Sequence, residues 1–339
     1  MDKSSVLSKK STNLSVCLNG RAVGILPSSL QETVRKQKPG CFGPIIATRR
    51  DCVRNEQEMM DLILSTARED ERIRAVYMNG SRTNPNAVKD IFQDFDIVYV
   101  VRETESFQQD TAWIDRFGVR LFMQYPEDSG GYPSDKHNCY GWLMQFADGN
   151  RLDLHVQRVE FSQKNILRDR LCIILLDKDN CLPEMPPSTD ADFFVRRPTE
   201  KQFLDTCNEW CLNNVAKGLW RKEIPYAQDM MSFIRSQLLK VLSWKAGTTT
   251  DFACCVGKSG KYLYRFVPKE DWEGYLATYS SADPAECWQA AELMCLLFHS
   301  IAKQVGQALG FHYKEGEAGA SFQFFRHVKK LPADAAEIL

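Results

Sequence analysis

Regular patterning of apolar and polar positions begins at Asn55. Met59, Leu62, Ile63, Thr66 and Ala67 recur at helical spacing on one face, and Asn55 with Glu58 three residues on forms a capping box for that helix. The period then shortens. Residues 73–78, 94–101 and 119–125 read as strands, and 140–147 with 150–159 as a hairpin turned at Asp148-Gly149. Residues 171–176 (LCIILL) are either a buried strand or a short apolar connector. Beyond Pro198 the helical period returns. Thr199 and Gln202 cap a helix over 199–221, and Pro225 suits the first turn of another over 224–245. Asp283-Pro284-Ala285-Glu286 opens a long helix to about Leu309, with 257–266 as a loop or short strand before it. The pattern predicts an α+β protein: a mixed sheet domain over 53–185, a helical domain over 190–320 and a tail over 321–339. Pro183, Pro186, Pro187 and Pro198 mark the boundary between the two domains.

The first 52 residues lack any such period. They carry nine Lys/Arg against three Asp/Glu, +6, so the rest of the chain carries −7 of the net −1. They are read as a basic extension expected to be disordered. No apolar h-region marks a secretory signal, and no run approaches the roughly 18 apolar residues of a membrane span. The twelve cysteines include no C-x-x-C pair and none at zinc spacing with a histidine, which predicts reduced thiols and a cytoplasmic protein. Cys207 and Cys211, one helical turn apart, are read as small core residues. An acidic body argues against nucleic acid as the main partner and suits a cationic small substrate.

Chemistry concentrates in residues 77–101, YMNGSRTNPNAVKDIFQDFDIVYVV. An apolar strand runs into Gly80-Ser81, and after a spacer of twelve residues Asp94-Phe95-Asp96-Ile97 opens the next strand. Side chains two apart on a strand project from the same face, so Asp94 and Asp96 stand together while Phe95 and Ile97 enter the core. Two carboxylates this close repel unless a cation lies between them or one is protonated. Mg²⁺ takes hard oxygen ligands, commonly one or two carboxylates plus substrate phosphates. Gly80 lets backbone approach a phosphate, to which the Ser81 hydroxyl and neighbouring N–H groups can donate. Asp153, alternating with the apolar Leu152 and Leu154, is a third carboxylate, either completing the metal site or acting as general base.

This ordered set of G-S, spacer, D-h-D and a later h-D-h resembles the signature of the DNA polymerase β-like nucleotidyltransferases. The resemblance narrows through NEQEMMDLILSTAREDERIR at 55–74, NGSR at 79–82, FQDFDI at 92–97 and LDL at 152–154. It continues through LLDKD at 175–179, RRPT at 196–199, CNEWC at 207–211, VAKGLWRKEIPYA at 215–227 and residues 269–280. Together these patches resemble the aminoglycoside 6-adenylyltransferase (streptomycin adenylyltransferase) family over about residues 53–310. The resemblance implies a polymerase-β-like sheet domain followed by a helical bundle. It implies transfer of AMP from ATP to a hydroxyl of streptomycin with release of pyrophosphate, and hence antibiotic resistance. Asp94, Asp96 and Asp153 match the family's acidic positions, and Gly80, Ser81 and Arg82 its phosphate loop. Mg²⁺ is the implied metal and ATP the co-substrate, with neither nucleic acid nor membrane as a partner, for a monomer or homodimer.

In the helical half, Lys217 and Tyr226 are candidates for gripping the triphosphate, with Lys217 equally readable as an exposed helix lysine. Glu209, Trp210 and Asn213 offer an acid, an aromatic face and an amide to a guanidinium-bearing sugar, though Trp210 is as readily a core residue. His155 stands where a small hydroxyl residue would be more usual and is read as a neutral surface histidine. Residues 128–138 look locally reworked. The resemblance starts at Val53-Arg54-Asn55-Glu56. One expectation is that translation starts there from a GTG codon, with Arg49-Arg50 encoded AGG-AGG as its ribosome-binding sequence; the other is a genuine basic tail. Other nucleotidyltransferases, with a different small-molecule, protein or RNA acceptor, and a non-catalytic nucleotide-binding homologue share parts of the pattern.

Overall fold

The computed structural model describes residues 53–130, 134–208 and 212–338, together with the backbone of 15–18 and 21–25. Within the N-terminal extension, β1 (Ser15–Leu18) pairs antiparallel with β2 (Arg21–Ile25), a hairpin in a stretch expected to be without regular structure. The rest of 1–52 lies outside the described residues.

The chain divides into two units. The first holds Met1–Asn79, Lys89–Asn165 and Ile174–Pro183, and the second Gly80–Val88, Ile166–Ile173 and Glu184–Leu339. The first unit is built on the sheet. Helix α1 (Glu56–Glu69) starts at the Asn55 cap, where the Asn55 side chain accepts from Glu58 N and Glu58 returns the bond to Asn55 N. It buries Met59, Ile63, Thr66 and Ala67. The strands are β3 (Ile73–Asn79), β4 (Phe95–Val101), β5 (Arg120–Gln124), β6 (Cys139–Phe146), β7 (Arg151–Arg158) and β8 (Cys172–Asp177), in the spatial order β5-β6-β7-β4-β3-β8. Of 171–176, the strand reading is the one that holds. Between β4 and β5 lies α2 (Glu105–Gln109), and α3 (Val159–Asn165) follows β7.

Strand β4 pairs antiparallel with β3 and parallel with β7, while β6 pairs antiparallel with both β7 and β5. Asp148-Gly149 turns the β6–β7 hairpin, with Gly149 at φ +90°, where a side chain would be strained. Tyr99, Phe107, Trp113, Phe117 and Trp142 form an aromatic cluster of edge-to-face and tilted pairs, and the Tyr99 hydroxyl donates to Ile63 O at 2.7 Å.

Asp70, at the end of α1, anchors that cluster. It accepts from the Arg72 guanidinium at 2.7 and 3.0 Å, from Arg72 N at 3.0 Å and from the Trp113 indole at 2.9 Å. Burial works to raise its pKa, but these hydrogen bonds outweigh it and pull the carboxyl to about 2. A depressed carboxyl contributes stability above its unfolded value of 3.8, and that stability is lost as pH falls toward 2. Asp70→Asn is therefore expected to destabilise by about 1–3 kcal/mol at neutral pH. In denaturant melts at a series of pH values, the gap from the unaltered protein should close through this acid window; a gap independent of pH would contradict it.

The second unit is helical: α4 (Glu200–Asn208), α5 (Leu212–Trp220), α6 (Ile224–Thr249), α7 (Lys269–Leu276), α8 (Pro284–Leu309) and α9 (Glu315–Lys330). The helix expected over 199–221 is described as two segments, with 209–211 outside the described residues. Thr199 and Gln202 make a reciprocal cap, and Asp283 caps α8 through Ala285 N and Glu286 N. The expected tail over 321–339 is corrected: α9 continues to Lys330, with Phe325 and Val328 buried in the helical core. Of the two readings of 257–266 the loop holds, with two short 3-10 turns in it. No described helix is long and apolar enough to cross a membrane.

Candidate active site

The first unit brings the three predicted carboxylates together on one sheet face. Asp96 is opposite Asp153 in the parallel β4–β7 ladder, and residues paired in this way project to the same side. Asp94 lies two residues before Asp96, just ahead of the strand. Phe95, Ile97, Leu152 and Leu154, fully buried, take the other face and fix the orientation. Asp96 is the one partly exposed position of β4, where the strand begins.

Arg151, on the same face of β7 as Asp153, lies among these acids. Its Nε and Nη2 donate to the two oxygens of Asp153 at 2.8 and 3.1 Å, and Nε stands 3.6 Å from Asp94 Oδ2. The Asp153 bond does most to raise the Arg151 pKa, with the charges of Asp94 and Asp96 adding to it. On the other side of Asp96, across the β3–β4 ladder, is Asn79, whose Oδ1 is buried without a hydrogen-bond partner.

This donor set fits a divalent cation in chemistry. It is made of hard oxygens, it already draws a guanidinium, and it leaves an acceptor unsatisfied beside the acids. Among the described residues, no three Asp, Glu, His or Cys side chains converge closely enough to ring one ion as they stand.

His155 continues the same face of β7. It is neutral, as expected, but half-buried instead of standing on the open surface. Its ring lies over Gly141, where a Cβ would come within 2.4 Å of His155 Cδ2, so a side chain at 141 would displace it. Burial lowers its pKa, against the opposing charges of Glu127 and Asp153, and favours the neutral ring. Glu127 Oε1 is 4.0 Å from His155 Nε2, and Glu127 Oε2 accepts from Gly141 N at 2.9 Å. Arg151, Asn79 and Glu127 are not among the residues expected from the sequence. Parity with Asp153 is a signal for Arg151, whereas Asn79 and Glu127 depend on strand register and on the short turn before β6.

Gly80 follows Asn79 in the chain and groups with the second unit. It has φ +79° and ψ −157°, a conformation open essentially to glycine alone. Its N–H donates to Leu171 O at 3.0 Å, and its carbonyl accepts from Thr83 N and the Thr83 hydroxyl, closing a 3-10 turn over Ser81–Thr83 that includes Arg82. Lys217 and Asn213 are exposed one turn apart on α5. They line a cavity of about 330 Å³ with Trp220, Arg221 and residues of α9 and the C-terminal segment. Tyr226, 38% exposed, lies against Gly218, where a Cβ would meet its ring at 2.9 Å. Glu209 and Trp210 lie outside the described residues.

Comparison with known proteins follows the same lines. The chain is 37% identical over 281 residues to an aminoglycoside 6-adenylyltransferase of Campylobacter jejuni, covering 82% of this chain and 97% of that protein. It is 36% identical over 271 residues to one of Bacillus subtilis (strain 168), covering 79% and 95%. A Staphylococcus aureus relative of the same description is 32% identical over 269 residues, covering 78% and 95%. Residues 53–328 match the family described as streptomycin adenylyltransferase, so that carboxylate face, glycine turn and helical half all fall within the match, and the chain belongs to this family of the nucleotidyltransferase superfamily.

Proposed function

We propose that the protein transfers AMP from ATP to a hydroxyl of a streptomycin-type aminoglycoside, releasing pyrophosphate and conferring resistance to the drug. The observation that carries this reading is the register of Asp96 against Asp153, with Asp94 beside them on one partly exposed sheet face. Family membership supports the acceptor class, since the relatives are described as aminoglycoside 6-adenylyltransferases.

In this reading Asp94 and Asp96 hold Mg²⁺, with Asp153 as a third ligand or as the base. The ion, when bound, supplies charge neutralisation of the triphosphate and polarises the α-phosphorus. The drug hydroxyl oxygen bonds to the α-phosphorus, the bond to the bridging oxygen of pyrophosphate breaks, and the hydroxyl proton passes to a carboxylate, for which Asp153 is the candidate. Backbone N–H groups and the hydroxyl of the Gly80-Ser81 turn donate to phosphate oxygens, and Arg82 adds positive charge. Lys217 and Tyr226 are assigned to the triphosphate and the leaving pyrophosphate. Glu209, Trp210 and Asn213 are assigned to the cationic sugar. The site of action is cytoplasmic, in keeping with the free thiols of Cys139, Cys172 and Cys254, and the enzyme acts as a monomer or homodimer.

Incubation of the purified protein with α-phosphate-labelled ATP, Mg²⁺ and a panel of aminoglycosides tests the acceptor. Label is expected on streptomycin. Label on a different class of acceptor, with none on any aminoglycoside, would contradict the proposal.

A further inference from the structure

A guanidinium already stands among the three acids. Arg151 uses two donors on Asp153, whose side chain is only 17% exposed, and so engages both oxygens that Asp153 could offer to a metal or to a substrate proton. The same guanidinium is 3.6 Å from Asp94. Two-pronged pairing of this kind fixes geometry as well as charge. Among the described residues, no three acidic side chains close around a common point. Arg151 is itself 36% exposed at its side chain, on a long flexible stem, so it can leave without breaking the ladder that holds the acids.

We propose that Arg151 is a resident counterion of the carboxylate face: it holds Asp94 and Asp153 in the nucleotide-free protein and must release Asp153 when a divalent cation enters. The inference rests on the reading of Asp94 and Asp96 as metal ligands. Arg151 is then a positioning residue that competes with the metal. It lowers the affinity of the empty enzyme for free cation and keeps the acids from repelling one another. A divalent ion sets two positive charges against the single charge of Arg151, and a triphosphate supplies the further oxygen ligands that help it displace the guanidinium. Removing the guanidinium removes the competitor.

Mn²⁺ binding to the full-length protein without nucleotide, followed by electron paramagnetic resonance and by calorimetry, tests this. Arg151→Gln is expected to bind Mn²⁺ at least about tenfold more tightly than the unaltered protein, the scale of one charge-assisted pair. Its thermal midpoint should fall in chelator and recover on adding Mn²⁺. Arg151→Lys keeps a charge without the two-pronged geometry and should fall between the two; if Arg151→Gln fails to fold, the lysine variant alone decides. Unchanged or weaker Mn²⁺ binding in the variants, while the unaltered protein binds Mn²⁺ in the presence of ATP, overturns the role of Arg151 and leaves the metal reading standing. No Mn²⁺ uptake by any of the three proteins, with or without ATP, overturns both.

Discussion

Asp96→Asn is expected to lower adenylyl transfer by on the order of a thousandfold or more, with the thermal midpoint held near that of the unaltered protein. Asparagine has nearly the volume of aspartate, so Phe95 and Ile97 keep their buried places and the β4–β7 ladder keeps its register. What is lost is one negative charge at the only partly exposed position of β4. Asp94→Asn should act in the same way. Fold stability has little to lose, because Asp96 sits at the partly exposed start of β4 and the apolar side chains that anchor the strand are unchanged. Turnover measured beside a thermal melt separates the cases: transfer at the unaltered rate in either variant would remove these residues from the chemistry, and collapse of the melt would make the loss structural.

A second large effect is expected within the core of the helical unit. Phe203, on α4, is fully buried, with ring centroids 5.8 Å from Phe311, 6.2 Å from Trp244 and 6.5 Å from Tyr313. Its ring also lies against Gly306, where an added Cβ would meet Phe203 Cζ at 3.4 Å. It therefore joins the first helix of the second unit to α6, α8 and the segment leading into α9. Phe203→Ala removes the ring and leaves a cavity that a helix backbone cannot readily fill, at a cost of about 3–5 kcal/mol. Chemical denaturation should show that loss, and a loss below about 1 kcal/mol would mean that the neighbouring aromatics repack to close the hole.

Local signals carried well from sequence to structure. The Asn55–Glu58 and Thr199–Gln202 caps and the Asp283-Pro284 start depend on bonds within a few residues, and each is present. The Asp148-Gly149 turn depends on glycine's access to positive φ and is equally local. The grouping of Asp94 with Asp96 follows from a period of two. Their neighbours were harder to read. Asn79 reaches Asp96 only through the β3–β4 register, and Glu127 reaches His155 through a short turn preceding β6. Arg151 has the same parity as Asp153, but sequence spacing does not show that its guanidinium bends back onto that carboxylate.

The half-buried setting of His155 is hard to read from sequence for a related reason. Its burial comes from Gly141 on the partner strand, a close approach that β7 alone does not reveal. The last helix was missed because its own pattern is thin. Between Glu315 and Lys330 the chain contains Gly316 and Gly319, and its apolar contribution to the core is mainly Phe325 and Val328, with Phe322 packed beside them. Such a segment is helical because a surface exists to receive that narrow stripe, and propensity alone would not have formed it.

Mass spectrometry of streptomycin after incubation with ATP, Mg²⁺ and the purified protein tests the central claim most directly. The account predicts that the drug gains the mass of one adenylyl group, that pyrophosphate appears in equal amount, and that both products are lost in chelator and in Asp96→Asn. Unmodified drug under conditions in which the protein is folded and Mg²⁺ and ATP are in excess, or a modification that persists in chelator, would contradict it.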